Sequence, residues 1–416
     1  MVERSNVTVI VLNTGTELLL GDVLNSHLSF IAREIFPLGL RVDRQLAVPD
    51  GLAIRTALEE SSEQADIIFV TGGLGPTTDD LTREITAELF GLELRHDPAV
   101  LAAITSRAAK RGFRLTDRTA RQAEVPEGAT VLPNDTGSAP GLYLAARTGP
   151  PGKSPHLFLL PGPPRELQPM FRSSVLPILR EIVPRETALD RRIYCIVGMG
   201  ESLVEEAIGE RLLEISGIEL GYCARPGEVD LRIIGGPSAL DRAETIIAAE
   251  LGDAVFSRDG SSLEEVIVKL LTKRRQTLAV AESCTGGYLA HRITNVPGAS
   301  AVFLRGFITY ANEAKVEMLG IDPNLIAAHG AVSEEVAREM AQGARGEARA
   351  TFGLATTGIA GPGGATAAKP VGTVFVALAA EDAETQTRRF QFPDDRPTFK
   401  DLTAQAALEM LRRSLL

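Results

Sequence analysis

Thr277-Leu278-Ala279-Val280-Ala281-Glu282-Ser283-Cys284-Thr285-Gly286-Gly287-Tyr288-Leu289-Ala290-His291-Arg292-Ile293 runs from a short apolar strand, through a turn of hydroxyls and glycines, into a helix. Such a turn puts side-chain oxygens and backbone N–H groups at one helix N-terminus, where a nucleophile and oxyanion donors can sit together. The same pattern also serves as a plain helix cap, and Ser/Thr-Gly turns are more often that. Two further segments bear on the choice. Phe307-Ile308-Thr309-Tyr310 reads as a strand, and Ala311-Asn312-Glu313-Ala314-Lys315 as the start of a helix capped by Asn312. Lys315 then falls in the first turn, where the dipole disfavours positive charge; burial there would lower its pKa and make it a base. A solvated helix lysine is the commoner outcome for that spacing. The other segment, Thr356-Thr357-Gly358-Ile359-Ala360-Gly361-Pro362-Gly363-Gly364, follows a strand, with Lys369-Pro370-Val371-Gly372 just beyond. Glycines allow close backbone approach to a phosphate or a planar ring, although turns use glycine everywhere.

Upstream, short apolar strands again alternate with helical patterns. Val7–Leu12 is an apolar run, and Leu28, Ile31 and Ile35 recur at helical spacing. Ile67–Val70 runs directly into Thr71-Gly72-Gly73-Leu74-Gly75-Pro76-Thr77-Thr78-Asp79-Asp80, and Leu81, Ile85 and Leu89 share one helix face. This alternation implies an α/β fold with mainly parallel sheets covered on both sides. The 71–80 stretch is no Walker A loop, but its glycine turn and N–H groups suit a phosphate. Asp80 and Glu84 fall four apart beside it, with Asp79 adjacent, a pattern suited to Mg²⁺ or another oxygen-preferring divalent ion. Acids in a first helical turn also simply favour the dipole. Pro161-Gly162-Pro163-Pro164 reads as a hard stop and a domain boundary.

The chain has 416 residues, too many for one ordinary core. Three domains are expected: 1–168, a small α+β module over 169–255, and 256–416. In the middle module Ile193–Val197 and Val229–Ile234 read as strands and Glu201–Leu213 as a helix. Net charge is −11, which argues against nucleic-acid or anionic-membrane binding. No apolar run approaches the roughly 20 residues of a membrane helix, and Met1–Asn13 reads as a first strand, not a signal peptide. The three cysteines are far apart, which suits a reducing cytoplasm and offers neither a disulfide framework nor a zinc site. The five histidines lack metal-ligand spacing.

Four ordered blocks, Ala281–Gly287, Gly306–Lys315, His329–Ser333, and Thr357–Pro362 with Lys369–Thr373, closely resemble the nicotinamide mononucleotide deamidase domain of the competence/damage-inducible protein CinA family. That resemblance implies a three-layer α/β amidohydrolase domain that converts the carboxamide to nicotinate mononucleotide and ammonia without a cofactor. It implies Ser283 as nucleophile, Lys315 as its base and Tyr310 as a proton relay or orienting group. Thr357 would help bind the amide or its oxyanion. Cys284, Thr285, Gly286, Gly287, Gly358 and Gly361 would line the substrate, and Arg396 sits near where the family keeps a basic residue. Cys284 is the rival nucleophile, being intrinsically more reactive than a serine hydroxyl.

The pieces Gly15–Asp22 with Asn25, Thr71–Glu84, Asn134–Gly141 and Leu159–Glu166 resemble the three-layer molybdopterin-binding fold as it occurs in the same family. Members of this type are associated with hydrolysis of ADP-ribose at its pyrophosphate, using divalent metal (Mg or Co) and K⁺. Thr71, Gly72, Gly73, Gly75, Thr77, Asn134 and Gly137 would then hold the nucleotide, and Asp79, Asp80 and Glu84 the metal. The loop Thr-Gly-Gly-Leu-Gly differs from the Thr-Gly-Gly-Thr-Gly usual in molybdenum-cofactor enzymes, which ranks cofactor synthesis lower. The middle module looks like a KH-type fold, but its excess of acids over arginines and its lack of lysine disfavour RNA. It reads as a connector or dimerisation element of a homodimer. Three readings stand side by side: a bifunctional pyridine-nucleotide salvage enzyme, a single-activity deamidase with a binding-only N-terminal half, and a non-enzymatic competence or DNA-damage interaction protein.

Overall fold

The computed structural model describes residues 7–110, 112, 114–149, 152–183, 190–381 and 383–416; the start of the expected first strand, before Val7, lies outside them. Two compact units are present, one ending at Asp190 and the other spanning Arg191–Leu416.

In the first unit, the apolar runs form a six-stranded sheet. Its order is Val42–Val48, Val9–Thr14, Ile67–Thr71, His156–Leu160, Gly141–Leu144, Thr130–Leu132. The first four strands are parallel, and the last two pairings are antiparallel, so only Gly141–Leu144 runs against the rest. Val9–Thr14 and Ile67–Thr71 are buried along their whole length, because helices cover both faces and leave a separate core on each. The boundary expected at 168 is displaced. Pro164 opens a helix as its first residue, and the helical run Pro164–Met170, Phe171–Val175, Leu176–Ile182 buries Leu167, Met170, Phe171, Val175 and Leu179 in the first core. Proline starts a helix as readily as it stops one, since its missing N–H is unpaired at that position anyway.

The second unit contains the middle module and the C-terminal part. The expected strands and the helix Glu201–Leu213 are present. A hairpin partner Ile218–Arg225 and a short strand Val255–Ser257 complete a four-stranded sheet, on which Glu201–Leu213 and a second helix, Pro237–Leu251, pack. The C-terminal part carries a five-stranded sheet in the order Phe303–Ile308, Leu278–Glu282, Phe352–Gly358, Thr373–Ala380, Gln386–Gln391. Its first three strands are parallel, so their C-terminal ends share one edge and deliver Ser283, Thr309 and Thr357 side by side. Cys195, Val197 and Phe256 of the middle module enter the same core as Leu278, Leu289 and Leu411. The middle module is therefore fused to the C-terminal part by apolar burial. Among the described residues, no helix is long and apolar enough to cross a membrane.

Candidate functional site

The strand Leu278–Glu282 ends under Ser283, whose N–H continues the ladder by donating to Thr356 O at 2.9 Å. On the other side, Thr309 N–H donates to Glu282 O at 2.8 Å. The strand Phe303–Ile308 ends one or two residues earlier than the pattern suggested, so Thr309 and Tyr310 form a short link. Asn312 is the first helical residue of Asn312–Leu319, and Ala311 holds the cap position without a side-chain cap. Lys315 follows in that first turn and is 1% exposed.

The side chains of Lys315 and Ser283 meet. Lys315 Nζ lies 3.2 Å from Ser283 Oγ and donates to Thr309 O at 2.7 Å, with Tyr310 O at 3.4 Å. Burial lowers the Lys315 pKa, and nearby negative charge, from Cys284 if ionised and from Glu313, only partly opposes it. Nζ points at three oxygens; once deprotonated, the amine can give its two protons to the carbonyls and keep its lone pair for the serine hydroxyl. Cys284 is different. Its thiol packs on Val374 and Phe399, and burial pushes its pKa up to about 12. It stays a protonated, packed side chain.

Tyr310 is 60% exposed, and its hydroxyl accepts from Arg396 Nη2 at 2.8 Å while Arg396 Nη1 donates to Gly361 O at 3.1 Å. Arg396 thus ties the glycine-rich loop to Tyr310, and Tyr310 meets Lys315 through its main-chain carbonyl. Thr357 Oγ1 donates to Ala331 O at 2.8 Å, so its lone pairs can accept but its proton is committed. Thr285 Oγ1 pairs with Thr356 Oγ1 at 2.7 Å. Gly358 belongs to strand packing: a Cβ there would sit 2.9 Å from Thr373 O and from Val374 Cβ.

Glu282, beside Ser283, is not singled out by the sequence. The wholly buried Glu282 carboxylate accepts from Gly287 N–H at 2.9 Å, Leu289 N–H at 3.0 Å and Ala290 N–H at 2.8 Å. The start of the helix Tyr288–Thr294 is therefore already capped, and the Gly287 N–H expected for substrate is engaged. A lone acid closing an apolar strand was the signal.

In the first unit, a cavity of about 550 Å³ is lined by Thr71, Gly72, Gly73, Gly75, Thr77, Asp79 and Asp80. Gly72 has φ +101°, and a Cβ would lie 2.4 Å from Thr14 Oγ1; only glycine fits that approach. Glu17, Asp50 and Glu166 add three more carboxylates, and the lining contains no lysine or arginine. The helix begins at Thr82, so Asp80 is outside it and the four-residue spacing to Glu84 does not bring the two together. Asp80 instead accepts from Thr77 N–H at 2.9 Å and from the Thr77 hydroxyl. Glu84 is absent from the lining and is held by Arg83 at 2.7 Å and Arg121 at 3.0 Å. Asn134 and Gly137 also stand back from this cavity, bordering a smaller one of about 280 Å³. Asn134 Nδ2 braces Glu166 at 2.9 Å, and its Oδ1 accepts from Gly137 N–H at 2.7 Å. Among the described residues, no three His, Cys, Asp or Glu side chains converge on a ready metal site. His27, not singled out from the sequence, lines the cavity with its ring on Gly162 O, and burial lowers its pKa.

Three family models match this arrangement. A probable molybdopterin binding domain spans residues 10–181, a damage-inducible protein CinA KH domain 191–257, and a CinA C-terminal domain 260–415. The class is thus a three-part α/β protein that joins a molybdopterin-binding-type domain to a CinA C-terminal domain through a KH-type module. A CinA-like protein of Akkermansia muciniphila is 44% identical over 402 residues, covering 97% of this chain and 96% of that protein. A putative competence-damage inducible protein of Caldicellulosiruptor bescii is 41% identical over 410 residues, covering 97% and 98%. The crystal structure of competence/damage inducible protein CihA from Agrobacterium tumefaciens is 39% identical, covers 37% of this chain and 96% of its own, and gives a TM-score of 0.35. The chain belongs to the CinA family.

Proposed function

We propose that the C-terminal part hydrolyses the carboxamide of nicotinamide mononucleotide, and that the carrying observation is the buried Lys315 amine 3.2 Å from Ser283 Oγ. Ser283 Oγ bonds to the amide carbon as its proton passes to Lys315 Nζ and the carbonyl electron pair moves onto oxygen. Collapse of that intermediate breaks the C–N bond, and Lys315 returns the proton to the leaving nitrogen, releasing ammonia. Water then attacks the nicotinoyl ester and gives its proton to Lys315; as the C–Oγ bond breaks, Lys315 passes that proton to Ser283 Oγ, and nicotinate mononucleotide is the product. The chemistry needs no cofactor. Thr357, with its proton given to Ala331 O, is suited to accept from the carboxamide N–H. Arg396 fixes Tyr310 and the loop at Gly361 and supplies a cation for a nucleotide phosphate. Full-length protein should release ammonia and nicotinate mononucleotide from nicotinamide mononucleotide, and Ser283→Ala should release neither.

We further propose that the first unit hydrolyses the pyrophosphate of ADP-ribose. Five carboxylates and no lysine or arginine line its cavity, a setting that repels a pyrophosphate unless cations intervene. Asp79, Asp80, Glu17, Asp50 and Glu166 are hard oxygen donors that fit Mg²⁺ or Co²⁺, with K⁺ as a second cation. A divalent ion shared between these acids and the ligand would neutralise phosphate charge. Glu84 has no part in this, being paired with two arginines. The absence of a ready three-acid cluster among the described residues favours a second reading, in which this unit binds nucleotide without cleaving it. An assay of ADP-ribose with Mg²⁺, Co²⁺ and K⁺ separates the two: AMP formation supports cleavage, and intact ADP-ribose leaves binding alone. The cytoplasmic location and a homodimer built through the KH-type module remain part of this proposal; a sedimentation measurement tests the latter.

A further inference from the structure

A helix start leaves N–H groups that a residue just before it usually caps. Here the cap reaches in from the strand end: Glu282 spans the turn and takes the N–H groups of Gly287, Leu289 and Ala290. A buried carboxylate is costly unless hydrogen-bonded, and three N–H donors at a helix N-terminus meet that cost. The consequence falls on the turn itself. Ser283 N–H is committed to Thr356 O, and Tyr288 N–H to Thr285 O at 3.2 Å. Gly286 and Gly287 carry φ of +59° and +94°, so the turn crosses without wrapping onto the helix end. Among the described residues the exposed Gly286 N–H then meets no acceptor, whereas the N–H of the wholly buried Thr285 turns to the Cys284 sulfur.

We propose that Glu282 is a positioning residue for amide hydrolysis. Its carboxylate holds the turn that carries Ser283 and leaves the N–H of Gly286 to receive the oxyanion. The helix end already holds an anion, so the substrate's phosphate must be recognised elsewhere. This inference rests on the deamidase reading above. As Ser283 Oγ bonds to the amide carbon, the electron pair displaced from the carbonyl lands on the oxygen facing the Gly286 N–H, while the serine proton goes to Lys315.

The test is Glu282→Gln in the full-length chain, assayed by ammonia release from nicotinamide mononucleotide across pH. The amide keeps one acceptor and turns a donor toward an N–H, so the turn loses its clamp. A lower kcat by about 10- to 100-fold is expected, the scale for a misplaced nucleophile or a lost oxyanion donor. KM should stay within about threefold and the acid limb of the pH profile should not move, because Lys315 keeps its surroundings. If Glu282→Gln does not fold, Glu282→Asp, which keeps the charge but shortens the reach by one methylene, carries the same expectation. A kcat within about twofold of wild type, a parallel loss in kcat and 1/KM, or a shifted acid limb overturns the proposal. Wild-type protein that releases no ammonia removes the underlying deamidase reading instead, so the two failures are told apart.

Discussion

Replacing Lys315 by methionine keeps length and bulk but removes the amine that faces Ser283 Oγ at 3.2 Å. If that amine is the base, kcat should fall by about 10²- to 10⁴-fold, the usual contribution of a positioned general base. The pH dependence adds a second, independent reading. Lys315 works only when neutral, so wild-type kcat/KM should rise about tenfold per pH unit up to a midpoint below the ordinary 10.5 of lysine, because burial lowers its pKa. Lys315→Met should abolish that limb, and Lys315→Arg, charged at every accessible pH, should be as inactive as methionine. Stability carries a pH dependence of the same sign. Between the lowered folded pKa and the unfolded value near 10.5, the unfolded chain holds a proton that the folded chain has lost, so wild-type stability climbs with pH in that window. Below the window the folded state bears the full cost of burying the ammonium. Methionine lacks this dependence, so its unfolding midpoint should compare best with wild type at neutral pH and lose ground as pH approaches 10.5. Activity of the methionine variant above a tenth of wild type, or a persisting acid limb, would refute the reasoning.

Cys284→Ala should keep kcat within about threefold, with a loss of about 1 kcal/mol or so in stability from the contact on Val374 and Phe399, whereas Ser283→Ala should be inactive. Arg396→Ala frees Tyr310 and the Gly361 carbonyl and removes a cation, so KM for the mononucleotide should rise about tenfold with a smaller effect on kcat. In the first unit, Asp80→Asn should weaken Mg²⁺-dependent ADP-ribose turnover by about tenfold or more, and chelation with EDTA should abolish it. Glu84→Gln should leave that turnover within about threefold and instead cost roughly 1 kcal/mol of stability through its arginine partners.

Much of this was legible before any coordinates. Continuous apolar runs such as Ile67–Val70 gave buried parallel strands, because a sheet covered on both faces leaves no polar alternation to read. The pairing of Ser283 with Lys315 came from motif order, and the chain folds back across their separation of 32 positions because two adjacent parallel strands end at the same edge. What the sequence hid was of two kinds. Element ends shift by one or two residues, and this moved Asp80 off the helix and broke its spacing with Glu84. Long-range polar contacts leave no local trace either: Arg396 reaching Tyr310, Arg121 reaching Glu84, and Glu282 reaching over its own turn to a helix end. The Pro163-Pro164 pair misled for a related reason, since only the apolar spacing after it, Leu167, Met170, Phe171 and Val175, shows that a helix starts there.

The most direct measurement is partitioning with hydroxylamine during turnover of nicotinamide mononucleotide. An ester on Ser283 would be intercepted to give the hydroxamate of nicotinate mononucleotide, at the expense of the acid and with undiminished ammonia release. The account predicts hydroxamate from the wild type and from Cys284→Ala, and none from Ser283→Ala. Ammonia release with no hydroxamate at any hydroxylamine concentration, or hydroxamate that survives loss of Ser283 and disappears with Cys284, would contradict it.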